Sequence, residues 1–185
     1  MNKKIKKISM IILTSLILAC TMKMGEVNAA NNENLSSKSG IVVDVNDAFT
    51  TEEFNKLSNK AESIATKYNI KIVIYVDNMP GYFANSEIDA IYSLTGKANK
   101  SGLIFYFNTY GGRGERDYAF DVKGDLQKAI SITYGMDKLE EAVVNKLSDD
   151  KFYKAFDTLL DMVDDFCAAK EKGKPYSKTH PYLQR

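Results

Sequence analysis

The sequence predicts an α/β protein, a three-layer α/β/α sandwich around a small mixed four-stranded sheet whose last strand is antiparallel. Three observations carry this expectation. Residues 70–76 and 103–107 are apolar at nearly every position, as in strands buried on both faces. Segments with apolar residues at helical spacing separate the strands. The link from 103–107 to the run at 118–122 is too short for a crossover, so those two strands form a hairpin.

Each element has its own signal. Ile41-Val42-Val43-Asp44-Val45 reads as a short strand. Thr50 with Glu53 three residues on forms a capping box, and Phe54, Leu57, Ala61, Ile64, Ala65 and Tyr68 line one face of the helix that follows. The strand at 70–76 ends in the turn formers Asp77-Asn78-Met79-Pro80-Gly81. A helix over about 86–94 buries Ile88, Ile91 and Tyr92. After the 103–107 strand, residues 108–116 contain three Gly and make a hairpin loop, and Tyr118, Phe120 and Val122 then share one strand face. Leu139, Ala142, Val143 and Leu147 mark one closing helix. Phe152, Ala155, Phe156, Leu159, Leu160, Val163, Phe166 and Cys167 mark a second. Gly173-Lys174-Pro175 stops it, and 177–185 is expected to be a loose tail. Alternating strands and helices imply right-handed crossovers, with helices on both sheet faces.

The chain has 185 residues, 44% hydrophobic and 26% charged, enough for one domain with a substantial core. One His and two Cys argue against a Ser-His-Asp triad, a His/Cys zinc site and a disulfide-stapled fold. Lys3, Lys4, Lys6 and Lys7 precede an uncharged apolar run over 8–22, and Val27-Asn28-Ala29 follows. This is the pattern of a signal peptide over 1–29 cleaved after Ala29, with 30–40 a flexible linker. Ile17-Leu18-Ala19-Cys20 offers a lipobox alternative, with cleavage before Cys20, and an uncleaved signal anchor is a third option. All three place the domain in a secreted form or on the outer face of the cell membrane. Five Lys and one Glu lie within 1–29, which leaves 20 basic and 23 acidic side chains, a net charge of −3. Such a surface gives no case for nucleic-acid binding.

Several motifs resemble the TPM domain family, named for thylakoid-lumen, photosystem-repair and nematode receptor-modulating proteins. They are Val45-Asn46-Asp47, Ser101-Gly102-Leu103-Ile104, Glu115-Arg116-Asp117-Tyr118 and Gly124. The last helix adds Phe152-Tyr153-Lys154-Ala155-Phe156 and Asp164-Asp165-Phe166, followed by Gly173-Lys174-Pro175-Tyr176. The resemblance covers 41–176. It implies an α/β/α sandwich and a range of roles: weak acid-phosphatase activity, binding of Ca2+ or other divalent ions, or accessory work for membrane complexes. Many bacterial relatives carry a later membrane span, so membrane attachment here is expected only through the N-terminus.

Ligands of open α/β sheets gather beyond the carboxyl ends of parallel strands. That edge would collect Asp47, Asp77 and Asn78, hard oxygen donors suited to Ca2+ or Mg2+. The nearby loop brings Arg113 and Arg116, which could grip a phosphate or carboxylate. The same residues also have plain structural readings: a strand end, an Asx-turn and solvated hairpin positions. Gly111-Gly112-Arg113-Gly114 lacks the Lys-Ser/Thr of a phosphate loop. Asp157, Asp161, Asp164 and Asp165 flank an apolar stripe and read as a solvated helix face. Tyr106, Phe107, Tyr118 and Phe120 suit sheet packing, since no basic groove accompanies them. The expected function is an extracytoplasmic binding or accessory module for a divalent cation, a cell-envelope protein partner, or both. The alternative is a weak metal-dependent acid-phosphatase-like hydrolase, in which a metal-activated water attacks and an Arg neutralises the phosphate.

Overall fold

A computed structural model describes residues 37–78, 80, 85–95, 101–112 and 115–183. The proposed signal segment, the lipobox, most of the linker and Arg113 lie outside the described residues. The elements are β1 (Gly40–Asp44), α1 (Thr51–Tyr68), β2 (Lys71–Asp77), α2 (Asn85–Leu94), β3 (Gly102–Asn108), β4 (Asp117–Lys123), a 3-10 turn (Gly124–Lys128), α3 (Gly135–Ser148) and α4 (Phe152–Glu171). No helix among the described residues is long and apolar enough to cross a membrane.

The sheet runs β1-β2-β3-β4. Its first three strands are parallel and β4 is antiparallel to β3. Side chains alternate between the two faces of a strand, and this period separates two chemistries. Val42, Ile72, Ile74, Val76, Leu103, Phe105, Phe107 and Val122 join α1, α3 and α4 in the main core. On the opposite face lie Lys71, Gly102 and Lys123, registered neighbours at one end of the sheet. They meet α2: Lys71 Nζ and Lys123 Nζ lie 4.3 and 5.6 Å from the Tyr92 ring centroid, and Lys123 pairs with Asp89 at 2.5 Å. Lys71 also donates to the Tyr92 carbonyl in the last turn of α2, a helix end with no basic residue of its own. The three layers are therefore α1, α3 and α4, then the sheet, then α2.

One expectation is corrected. The chain steps twice in the same direction across the sheet, while α1 and α2 lie on opposite faces. Two such crossovers have opposite hands, so one of them is left-handed, against the strong general preference. Two right-handed crossovers with helices on both faces would have needed the chain to reverse direction after β2.

Local chemistry fixes the entry and exit of α1. Thr50 Oγ1 accepts from the Glu53 N–H at 3.3 Å, and Glu53 Oε2 accepts from the Thr50 N–H at 3.0 Å, the reciprocal capping pair read from the sequence. Asn69 ends the helix in the left-handed region at φ 52°. Glu62 holds the start of β1 by accepting from the Ser39 and Gly40 N–H groups at 2.9 and 2.6 Å.

The aspartates on α4 are not simply solvated. Lys60 of α1 pairs with Asp157 and Asp161 at 2.5 and 2.7 Å. Asp164 accepts from Lys67 and from the Tyr68 hydroxyl, both at 2.7 Å. Burial pushes the Asp164 carboxyl up, but the Lys67 and Tyr68 hydrogen bonds outweigh it and hold it below the ordinary 3.8. A carboxyl depressed in the folded state stabilises above its unfolded pKa, and that contribution is lost as pH falls through the folded value. The Tm advantage of the wild type over Asp164→Asn is therefore expected to be full at neutral pH and to shrink as pH falls below the ordinary carboxylate range and through the depressed folded value. Paired pH-Tm profiles check this, and a gap that persists in acid would contradict it.

A further difference concerns the C-terminal segment. Beyond Gly173, at φ 71°, the chain folds back, and residues 177–183 of the tail expected to be loose follow it. Tyr176 and Tyr182 each pack 5.3 Å from the Phe166 ring, and the Tyr182 N–H donates to the Tyr134 hydroxyl at 2.6 Å. Aromatic burial anchors this tail. At the β4 edge, the Tyr118 and Val122 N–H groups bond to the preceding Asp117 and Asp121 carboxylates at 2.9 and 2.7 Å. Gln127 takes the Val122 carbonyl at 2.7 Å. These local bonds use up main-chain groups that an added strand would need.

Candidate functional site

Polar residues collect at the carboxyl edge of the parallel strands. β1, β2 and β3 end in Asp44, Asp77 and Asn108, and β4 begins with Asp117. Asp77 is registered with Asn108, and Asn108 with Asp117, so these three side chains form a row on the α2 face of the sheet. Asp77 is 1% exposed and Asn108 3%. Tyr106 shares their face and donates its hydroxyl to Asp77 Oδ1 at 2.9 Å. Burial, then the charge of Asp77 and its hydrogen bond, push the Tyr106 phenol far above its ordinary value, so the hydroxyl stays protonated.

The flanking loops are tied to this row. Asn46 Nδ2 donates to Thr109 Oγ1 at 3.0 Å. The Thr109 N–H and hydroxyl donate to the Asp77 carbonyl at 2.9 and 3.0 Å. The Tyr110 N–H donates to Asn108 Oδ1 at 3.0 Å, which closes an Asx-turn at the start of the hairpin loop. Asp44 points to the other face and accepts from the Ala48 and Phe49 N–H groups, both at 2.9 Å. Burial pushes its carboxyl above the ordinary 3.8, the two N–H groups pull it back, and the charge of Asp47 adds to the rise.

The residues expected at the site are distributed as follows. Asp77 stands in the row. Asn78 follows it and is exposed, and Asp47 is exposed at φ 55°. Arg116 turns the other way: its guanidinium donates to the Leu147 carbonyl at 3.2 Å, pairs with Asp150 at 2.5 Å and lies 4.9 Å from the Phe152 ring. It ties the hairpin to the turn between α3 and α4, on the face opposite Asp77. Arg113 is outside the described residues. Sequence reasoning missed Asn108 and Asp117 as site residues. The signal that could have found them is the recurrence of Asp or Asn where each strand meets this edge.

Carboxylate, amide and carbonyl oxygens are the donors that Ca2+ and Mg2+ take, so the chemistry of the row suits a hard cation. Among the described residues no three His, Cys, Asp or Glu side chains group as a metal cage. A cation at this edge would therefore complete its shell with amide and backbone oxygens and water. Nucleophilic chemistry has less support. Burial pushes the Cys167 thiol up to about 12, and His180 stacks on Tyr176 at 5.6 Å in the C-terminal segment.

The TPM domain profile matches residues 42–166. The chain belongs to the TPM domain family. Among solved structures, this TPM domain is similar to the NMR structure of the BA42 protein from the psychrophilic bacterium Bizionia argentinensis. The TM-score is 0.51 at 13% identity, over 73% of this chain and 90% of that one. At that identity the likeness shows the fold alone. No curated protein matches the chain.

Proposed function

We propose that this TPM domain is an extracytoplasmic accessory module that holds a divalent cation, Ca2+ or Mg2+, at the carboxyl edge of its sheet. The registered row of Asp77, Asn108 and Asp117 is the observation that carries the reading. Asp47 and Asn78 on the adjoining loops are further oxygen donors. Exposed Tyr110 at the hairpin tip offers a contact for a cell-envelope protein partner. The N-terminal 1–29 pattern supports export.

Binding is favoured over phosphate-ester hydrolysis by the position of Arg116. Its guanidinium is committed to Leu147 and Asp150, so neutralising a phosphate at the Asp77 side would require it to leave both. Extracellular calcium modules bind in the range of about 10⁻⁴–10⁻³ M. Ca2+ at about 10 mM should then stabilise the fold by about 1.4–2.7 kcal/mol, a Tm rise of several degrees. The rise should shrink in Asp77→Asn. A Tm that Ca2+ and Mg2+ leave unmoved would sink the proposal.

A further inference from the structure

We infer that Tyr106 and Thr109 are positioning residues that set Asp77 as the anchor of the edge and tie the Asp47 loop to it, an inference that rests on the cation reading above. Tyr106 is 2% exposed. Its ring stacks on that of Tyr75, its registered neighbour on β2, with centroids 6.1 Å apart. A ring clamped in this way presents its hydroxyl to Asp77 Oδ1 in one orientation. The backbone of Asp77 is held as well, because its carbonyl accepts both the N–H and the hydroxyl of Thr109. Thr109 Oγ1 in turn accepts from Asn46, the residue before Asp47.

Asp77 is thus fixed at its carboxylate and its main chain by two residues of the β3 side, and the second of these reaches the loop after β1. Outer hydrogen bonds of this kind orient the groups that touch a metal, and their loss typically lowers affinity about 10–100-fold. Neither Tyr106 nor Thr109 need touch the cation to have this effect.

The chain has no Trp, so Tb3+ emission excited through tyrosine reports on tyrosines near the bound ion. Tb3+ displaced by Ca2+ serves as the probe, with circular dichroism to confirm folding. Tyr106→Phe is expected to weaken the apparent affinity at least tenfold while Tyr75 maintains sensitised emission. Thr109→Val, a change at a partly exposed hydroxyl, should weaken it in the same direction and provides the test if Tyr106→Phe does not fold. Tyr118→Phe removes a hydroxyl on the opposite face, where Tyr118 donates to Glu140 at 2.5 Å, and should leave affinity unchanged. Equal affinity in the wild type, Tyr106→Phe and Thr109→Val would overturn the inference and leave the cation reading standing. Wild-type protein without Ca2+-displaceable emission would overturn both.

Discussion

Gly102→Ala is expected to destabilise the domain by about 3 kcal/mol or more, the upper end of the cost of forcing an atom into a packed core. A Cβ on Gly102 would stand 2.0 Å from the Lys71 carbonyl oxygen and 2.4 Å from the Tyr92 hydroxyl. The Tyr92 side chain could turn aside, but the Lys71 carbonyl belongs to the β2 backbone in the middle of the sheet and cannot. The variant should express poorly or melt far below the wild type in a circular-dichroism scan. Gly112→Ala is the control. Gly112 sits at φ 79° with nothing within 4 Å of an added Cβ, so it should cost only the left-handed backbone penalty of about 1–2 kcal/mol. Equal melting of the two variants would contradict the close approach of β2, β3 and α2.

Phe156→Ala is expected to cost about 3–5 kcal/mol, a Tm loss of about 10–20 °C for a domain of this size. Phe156 is fully buried. Its ring meets Phe49, Phe105 and Phe107 with centroids 5.8, 5.6 and 6.2 Å apart. It thereby joins α4 to the sheet centre and to the segment before α1, and three edge-on aromatic contacts add to its area burial. Chemical denaturation would read the effect directly. Tyr110→Ala, at a half-exposed hairpin position, should change stability by less than about 0.5 kcal/mol. A Phe156→Ala variant as stable as that control would mean that α4 does not pack where described.

What the amino-acid sequence could announce was whatever depends on neighbours along the chain. The apolar runs of β2 and β3, the stripe on α4 and the Thr50/Glu53 capping pair are local patterns, and each appears in the structure. Register and direction across the sheet depend on residues far apart. Asp77, Asn108 and Asp117 therefore read as loop residues bounding apolar runs, although they are the last or first positions of paired strands. Arg116 shows the same limit. It precedes Asp117, yet successive residues of an extended chain point to opposite faces, so one reaches Asp150 and the other joins the row with Asp77. The hand of a crossover has no local signature, which is why the left-handed step was not foreseen. The packing of the 177–185 tail has no local signal either, because Tyr182 is separated from Tyr176 by five residues that carry no apolar period.

The proposed cation site at the sheet edge is tested most directly by titrating Ca2+ into ¹⁵N-labelled protein and following amide chemical shifts. Saturable changes should concentrate at 46–47, 77–78, 108–110 and 117–118, the segments that bound the row, and should be lost in Asp77→Asn. Shifts centred instead on Asp157, Asp161, Asp164 and Asp165 of α4, or a spectrum unchanged at 10 mM Ca2+, the concentration that should saturate a site of about 10⁻⁴–10⁻³ M, would contradict it.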